Sequence, residues 1–76
     1  IEKIIDIIIP YINNTDENGN TALIIACALN ETNMVNLLLK YGANTLLKNN
    51  SNETALMHAN ANNNINMVKM LIEQGA

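Results

Sequence analysis

The sequence predicts an all-α fold in which helix–turn–helix units stack side by side and short hairpin loops project from one edge. Three observations lead to this prediction. The same residues recur at a constant spacing along the chain, apolar residues recur at helical intervals, and clusters of turn-forming residues separate the helical segments.

The repeat is visible in aligned residues. Residues 21–23 and 54–56 both read Thr-Ala-Leu, an offset of 33 positions. The same offset relates Ala26 to Ala59, Asn30 to Asn63, Met34 to Met67, Val35 to Val68, Leu38 to Leu71, Gly42 to Gly75 and Ala43 to Ala76. The apolar run 4–9 matches the pattern of 34–39 at a slightly shorter offset. We therefore divide the chain into the end of a preceding repeat (1–15), a complete repeat (16–48) and a following, truncated repeat (49–76).

Each repeat is expected to open with a capped first helix. Thr21 and Thr54 precede the predicted helices 22–29 and 55–62, where a hydroxyl accepts a hydrogen bond from a free amide of the first turn. Helical spacing predicts a buried stripe on each helix. The stripe consists of Leu23, Ala26 and Cys27 in the complete repeat and of Leu56, Ala59 and Asn60 in the following one. Asn30 and Asn63 then stand where a left-handed residue would end each helix.

A second helix is expected at 32–41 and at 65–74, each closed by a glycine at position 42 or 75. The segments 16–20 and 49–53 are rich in turn-forming residues, and Asn18-Gly19 suits a tight turn with positive φ. The β-branched run 4–9 alone favours a strand. Its register with the other second helices predicts a helix, which Pro10 ends.

Composition excludes several classes of function. The chain has 4 basic residues, all lysine, and 7 acidic residues, giving a net charge of −3. Binding to nucleic acid or to anionic lipid requires a basic surface, so neither partner is expected. No apolar stretch approaches the length of a membrane-spanning helix. A 76-residue chain is also marginally stable alone, so we expect it to belong to a longer array of repeats.

Catalytic chemistry has few candidates. Cys27 and His58 occupy nearly equivalent positions in the two repeats, which makes them the one candidate for a cysteine–histidine pair. Cys27 falls on the predicted core stripe, His58 lies beside it, and no orienting acid is evident. A buried structural cysteine is the favoured interpretation. No metal ligand set and no glycine-rich phosphate loop is present in the sequence. No enzymatic activity and no cofactor are expected.

These residues resemble the ankyrin repeat family, whose pattern runs D-x-x-G-x-T-P-L-H-x-A-A and then V-V-x-x-L-L-x-x-G-A. The complete repeat matches it at Asp16, Gly19, Thr21, Leu23, Ala26, Val35, Leu38, Leu39, Gly42 and Ala43. The following repeat matches it at Thr54, Leu56, Ala59, Val68, Leu71, Gly75 and Ala76. The resemblance covers essentially the whole chain.

Several positions depart from the family pattern. Ala22 and Ala55 replace the proline at the first helical position, at little cost because alanine favours helices. Ile24 and Met57 replace the histidine, so its usual hydrogen bond is absent. Asn49 and Asn52 replace the aspartate and glycine of the hairpin. Asn60 replaces an alanine on the predicted core stripe, so it must either face an open edge or find hydrogen-bonding partners.

The resemblance implies a protein-interaction module that binds a partner protein through hairpin tips and the concave face of the first helices. Carried over by position, the tip residues are Glu17, Asn18, Asn20, Asn50, Ser51, Asn52 and Glu53. The first-helix residues are Ile25, Leu29, His58 and Asn62. Ile25 and Leu29 indicate a partner-binding surface most clearly, because they should be exposed apolar side chains on one helix face.

A second interpretation stays open. The array could be a structural spacer or assembly element that packs against other parts of its own chain, in which case Ile25 and Leu29 would be buried by that chain. A single cysteine without a disulfide partner favours an intracellular, cytoplasmic location. The partner's identity, the number of flanking repeats and the oligomeric state do not follow from the sequence.

Overall fold

The computed structural model describes residues 2–76, leaving out the side chains of residues 2, 3 and 5. Within this range the chain forms helices and turns, and an isolated bridge between Thr15 and Thr21 is the one β-type pairing. The predicted all-α fold is confirmed. The helices are α1 (Glu2–Ile8), a short 3₁₀ helix (Ile9–Tyr11), α2 (Ala22–Ala28), α3 (Thr32–Lys40), α4 (Ala55–Ala61) and α5 (Ile65–Glu73).

The predicted caps begin and end the helices. The Thr21 hydroxyl accepts a hydrogen bond from the amide of Ile24 at 3.2 Å, and the Thr54 hydroxyl accepts one from Met57 at 3.3 Å. Asn30 and Asn63 adopt positive φ values of 60° and 54°, as predicted, each directly after the C-cap residue of α2 or α4. Asn52, which stands where the preceding repeat has Gly19, also adopts a left-handed conformation, with φ 62°.

The core forms where the repeats stack. The α2 helix packs most extensively against α4, and α3 packs against α5 more lightly. Small side chains allow the close approach of α2 and α4, since Cys27, Ala55 and Ala59 are each no more than 1% exposed. Larger side chains complete the core from the second helices, including Val35, Met67 and Leu71.

The predicted stripe is correct for α2 and wrong in part for α4. Leu23, Ala26 and Cys27 are buried, and so is Ala59. Leu56 is only half-buried and Asn60 is exposed. The reason is that α4 turns Ala55 and Ala59 toward α2, and Asn60 lies about 100° further around the helix, outside this contact. Because water solvates its amide there, Asn60 carries no desolvation cost.

Gly19 permits a close approach between the two hairpins. Its φ is +78°, and a Cβ added there would lie 2.9 Å from the backbone nitrogen of Asn50. Gly42 has a similar φ of +90°, but a Cβ added there would meet no other atom within 4 Å. Substituting alanine at each glycine therefore distinguishes the cost of the left-handed backbone conformation, which both share, from the cost of a steric clash, which only Gly19 has.

We expect Gly19→Ala to lower the free energy of unfolding by about 2–3 kcal/mol, because it combines left-handed strain with a backbone clash. Gly42→Ala should cost only about 1 kcal/mol, from the strain alone. Urea unfolding followed by circular dichroism measures both variants. Equal losses would show that the hairpin relaxes away from Asn50 without cost.

Candidate partner-binding surface

The two hairpin loops share one internal hydrogen-bonding pattern. Asp16 Oδ1 accepts hydrogen bonds from the amides of Asn18 and Asn20, both at 2.9 Å. Asn49 Oδ1 accepts equivalent bonds from Ser51 and Glu53, also at 2.9 Å. An Asx side chain that bonds the backbone two and four residues ahead holds the loop in a turn. Both hairpin tips are therefore ordered before any partner arrives.

The tips are also joined to each other. The Asn50 amide donates to the Asn18 carbonyl at 3.0 Å, and Asn50 Nδ2 donates to the Glu17 carbonyl at 3.2 Å. Five of the predicted tip residues are exposed: Glu17, Asn18, Asn50, Ser51 and Asn52. The predicted tip residues thus form one continuous polar surface that spans both repeats.

A shallow pocket of about 180 Å³ lies between the hairpins and the first helices. We call it the helix–hairpin pocket, and it is lined by Asn20, Ile24, Ile25, Ala28, Leu29, Asn49, Glu53 and His58. Five of the predicted site residues are among them. Ile25 is 39% exposed and Leu29 is 66% exposed, which agrees with the expectation of exposed apolar side chains on α2.

Asn49 organises the polar side of this pocket. Its Nδ2 donates to Asn20 Oδ1 at 2.9 Å and to Glu53 Oε1 at 2.8 Å. His58 Nε2 lies 3.5 Å from the same Glu53 oxygen. The sequence-based set of site residues omits Asn49. The sequence did contain an indication of this role. Asn49 replaces the family's aspartate, and an amide can donate hydrogen bonds where a carboxylate can only accept them.

Asn62 lies outside the pocket. Its Nδ2 donates to the carbonyl of Cys27 at 2.8 Å and, at 3.4 Å, to that of Ala28. These carbonyls belong to the last turn of α2, where backbone acceptors have no donor four residues ahead in the helix. The Cys27 carbonyl also accepts from the amide of Asn30, at 3.1 Å. Asn62 thus caps a helix of the neighbouring repeat, and a role of its side chain in partner binding stays a prediction.

Ile25 and Leu29 border a second depression. A groove of about 390 Å³ runs along the other side of α2, and Ile25, Leu29 and Met34 are among its lining residues. The two apolar side chains therefore stand on the ridge between the helix–hairpin pocket and this groove. They are accessible from both sides.

Cys27 belongs to the buried core. Its side chain is fully buried, and desolvation raises the pKa of the thiol from 9.0 to about 11. The reactive thiolate is consequently rare at neutral pH. Across residues 2–76, the described side chains include no group of three potential metal ligands. No described helix has the length and apolar character needed to cross a membrane.

Comparison with known families identifies the class of protein. The family model for ankyrin repeats, described as three copies, matches residues 2–76. The chain belongs to the ankyrin repeat family. Ankyrin repeats are generally protein-interaction modules and typically have no enzymatic activity.

A solved structure gives a similar result. The fold resembles a chain from the complex of the predatory endopeptidase Bd0816 of Bdellovibrio bacteriovorus with the immunity protein Bd3460, with a TM-score of 0.81 and 33% sequence identity. The match covers 100% of this chain and 41% of that one, so this chain spans about two fifths of its structural neighbour. No curated protein matches the sequence.

We expect Asn49→Asp to lower the free energy of unfolding by about 1–3 kcal/mol, because it removes two side-chain hydrogen bonds and places a second carboxylate beside Glu53. Asp16→Asn is the matched control, since the asparagine oxygen still accepts both loop amides. Urea unfolding should show the smaller loss for the control. Similar losses would mean that the bridge from Asn49 contributes nothing beyond the loop itself.

The Cys27 thiol should react with iodoacetamide at pH 8 at least about 100-fold more slowly in the folded chain than in urea, because its raised pKa and burial both suppress attack. The free energy of unfolding should decrease as the pH rises from 9.0 toward about 11, since the unfolded thiol loses its proton first. Mass spectrometry follows the alkylation. Rapid labelling under native conditions would contradict the assigned burial.

Proposed function

We propose that this chain holds a partner protein through the helix–hairpin pocket and the two hairpin tips. The observation that supports it most is that five of the predicted site residues line one pocket. These residues are Asn20, Ile25, Leu29, Glu53 and His58. They come from two hairpins and two helices in different repeats, and the stacking of α2 on α4 brings them together.

The pocket has the chemistry of an interface centre with a polar rim. Ile25 and Leu29 supply apolar surface whose burial under a partner would release water. Glu53 is 45% exposed at its side chain, so its carboxylate remains open to a donor from the partner although it already accepts from Asn49. A partner segment with an apolar side chain beside an N–H or cationic group fits this surface.

The hairpin tips extend the rim. Glu17, Asn18 and Asn50 are held by bonds within and between the loops. Because the tip backbone is already fixed, a partner that binds there loses less free energy to loop ordering. Ser51 and Asn52 lie on the same exposed edge and add hydrogen-bonding groups.

The proposal describes an adaptor or scaffold activity without catalysis or a cofactor. The buried, unpaired Cys27 fits a reducing, intracellular environment. The second candidate, an assembly element, draws support from the apolar groove on the far side of α2, which is suited to contact with another polypeptide.

We expect Ile25→Asp combined with Leu29→Asp to weaken partner binding at least about 100-fold, because the partner would have to desolvate two charges. A binder selected against residues 1–76 from a displayed protein library, together with any native partner, provides the assay by biolayer interferometry. The cost in folding free energy should remain near 1–2 kcal/mol, since Ile25 is partly buried.

Leu46→Asp combined with Met57→Asp is the matched control. Both positions are exposed, at 66% and 52%, and neither lines the helix–hairpin pocket. The control adds the same charge and should retain binding within about threefold. Intact folding with unchanged affinity in the Ile25 and Leu29 variant would place the partner site elsewhere.

A further inference from the structure

The tip of the first hairpin (16–20) carries an asparagine–glycine pair, Asn18-Gly19. In such a pair the backbone nitrogen of the glycine can attack the side-chain amide carbon of the asparagine, because glycine has no side chain to hinder the approach. Asn18 is exposed, so water reaches its amide. The second hairpin (49–53) has Ser51-Asn52 at the equivalent positions and lacks this pair. Only the first hairpin therefore carries this chemistry at its turn.

The reaction is a deamidation in which water is the one co-reactant. Hydroxide removes the proton of the Gly19 amide nitrogen, and this nitrogen forms a bond to Cγ of Asn18. The Cγ–Nδ2 bond breaks, and Nδ2 takes a proton from water and leaves as ammonia, so that a cyclic succinimide remains. Water then opens the ring at either carbonyl carbon. Opening at the side-chain carbonyl gives aspartate, and opening at the main-chain carbonyl gives isoaspartate, whose main chain runs through the former side chain.

The structure holds the reacting peptide group at both of its polar atoms. The Gly19 N–H donates to the Asp16 carbonyl at 3.0 Å within the first hairpin, and the Asn18 carbonyl accepts from the amide of Asn50 at 3.0 Å. The first of these bonds closes a β-turn, which keeps ψ of its third residue near ~0° in the common turn types. The succinimide ring requires the Gly19 nitrogen to lie beside Cβ instead. The peptide group must therefore rotate, and rotation breaks both hydrogen bonds.

The second hairpin holds its equivalent peptide group at one atom only. The Asn52 amide donates to the Asn49 carbonyl at 3.0 Å, just as Gly19 donates to Asp16. Among the described residues, no backbone amide donates to the carbonyl of Ser51. The turn is thus common to both hairpins, whereas the second restraint on the Asn18-Gly19 peptide group comes from the contact between the hairpins.

We propose that Asn18 is a site of spontaneous deamidation that stays unmodified while the two hairpins are joined and reacts when they separate. A reaction that needs a local opening proceeds in proportion to the population of the open form. The loss of the Asn18 amide is irreversible, so it accumulates each time the contact with Asn50 opens for long enough.

Either product changes the hairpin tip. Aspartate adds one negative charge beside Asp16 and Glu17, which takes the net charge from −3 to −4. Isoaspartate also adds a methylene to the main chain and displaces the carbonyl that accepted from Asn50. Gly19 has no room for this, because even an added Cβ would lie 2.9 Å from the backbone nitrogen of Asn50. Modification therefore keeps the hairpins apart once they have separated.

Peptide mass spectrometry on residues 1–76, incubated at mildly alkaline pH in buffer and in guanidinium chloride, tests the proposal. The Asn18 amide should be lost at least about 10-fold more slowly in the folded chain, because only the open population reacts. Asn18→Ser is the control, since it introduces the residue type found at position 51, and it should abolish the mass increase of this peptide. Equal rates in folded and denatured chains, or an unchanged mass increase in the control, would overturn the proposal.

Ser51→Asn combined with Asn52→Gly distinguishes the turn from the contact between hairpins. It builds the same pair in the second hairpin, where glycine fits because Asn52 already has φ 62°. The rate at each site in the folded variant is divided by the rate at the same site in guanidinium chloride. Position 51 should then react at least about fivefold faster than Asn18, since one restraint is missing there. Both sites share one molecule, so global unfolding affects them equally. Equal normalised rates would show that the turn alone protects Asn18 and would overturn the proposed control by the hairpin contact.

Discussion

The close packing of α2 against α4 is the contact on which the rest of the structure depends. It is possible because Cys27, Ala55 and Ala59 present small side chains, all but fully buried, where the two helices meet. With the helices this near, Asn62 reaches the last turn of α2 and the hairpin tips touch through Asn50. A larger side chain at the helix contact would separate the repeats and break both of these polar connections at once.

Asparagine carries much of the polar contact between the repeats. The chain contains 16 asparagines among 76 residues, a bias that by itself suggests only composition. Several of them bridge one repeat to the next. Asn64 Nδ2 donates to Asn30 Oδ1 at 2.8 Å and to Thr32 at 2.9 Å, while its oxygen caps α5. An amide offers donor and acceptor together, so it can satisfy groups on both sides of a repeat boundary.

The sequence by itself determined the helical repeat, its caps and the exposure of Ile25 and Leu29. These properties follow from local conformation and from periodic spacing, so they can be read from residues close together in the chain. Only the tertiary structure decided that Asn49 bridges Asn20 to Glu53, that Asn62 caps α2, and that Asn60 is solvated. Each of these outcomes depends on which side of a helix faces a neighbour and on distances between residues about 30 positions apart. A single repeat contains neither kind of information.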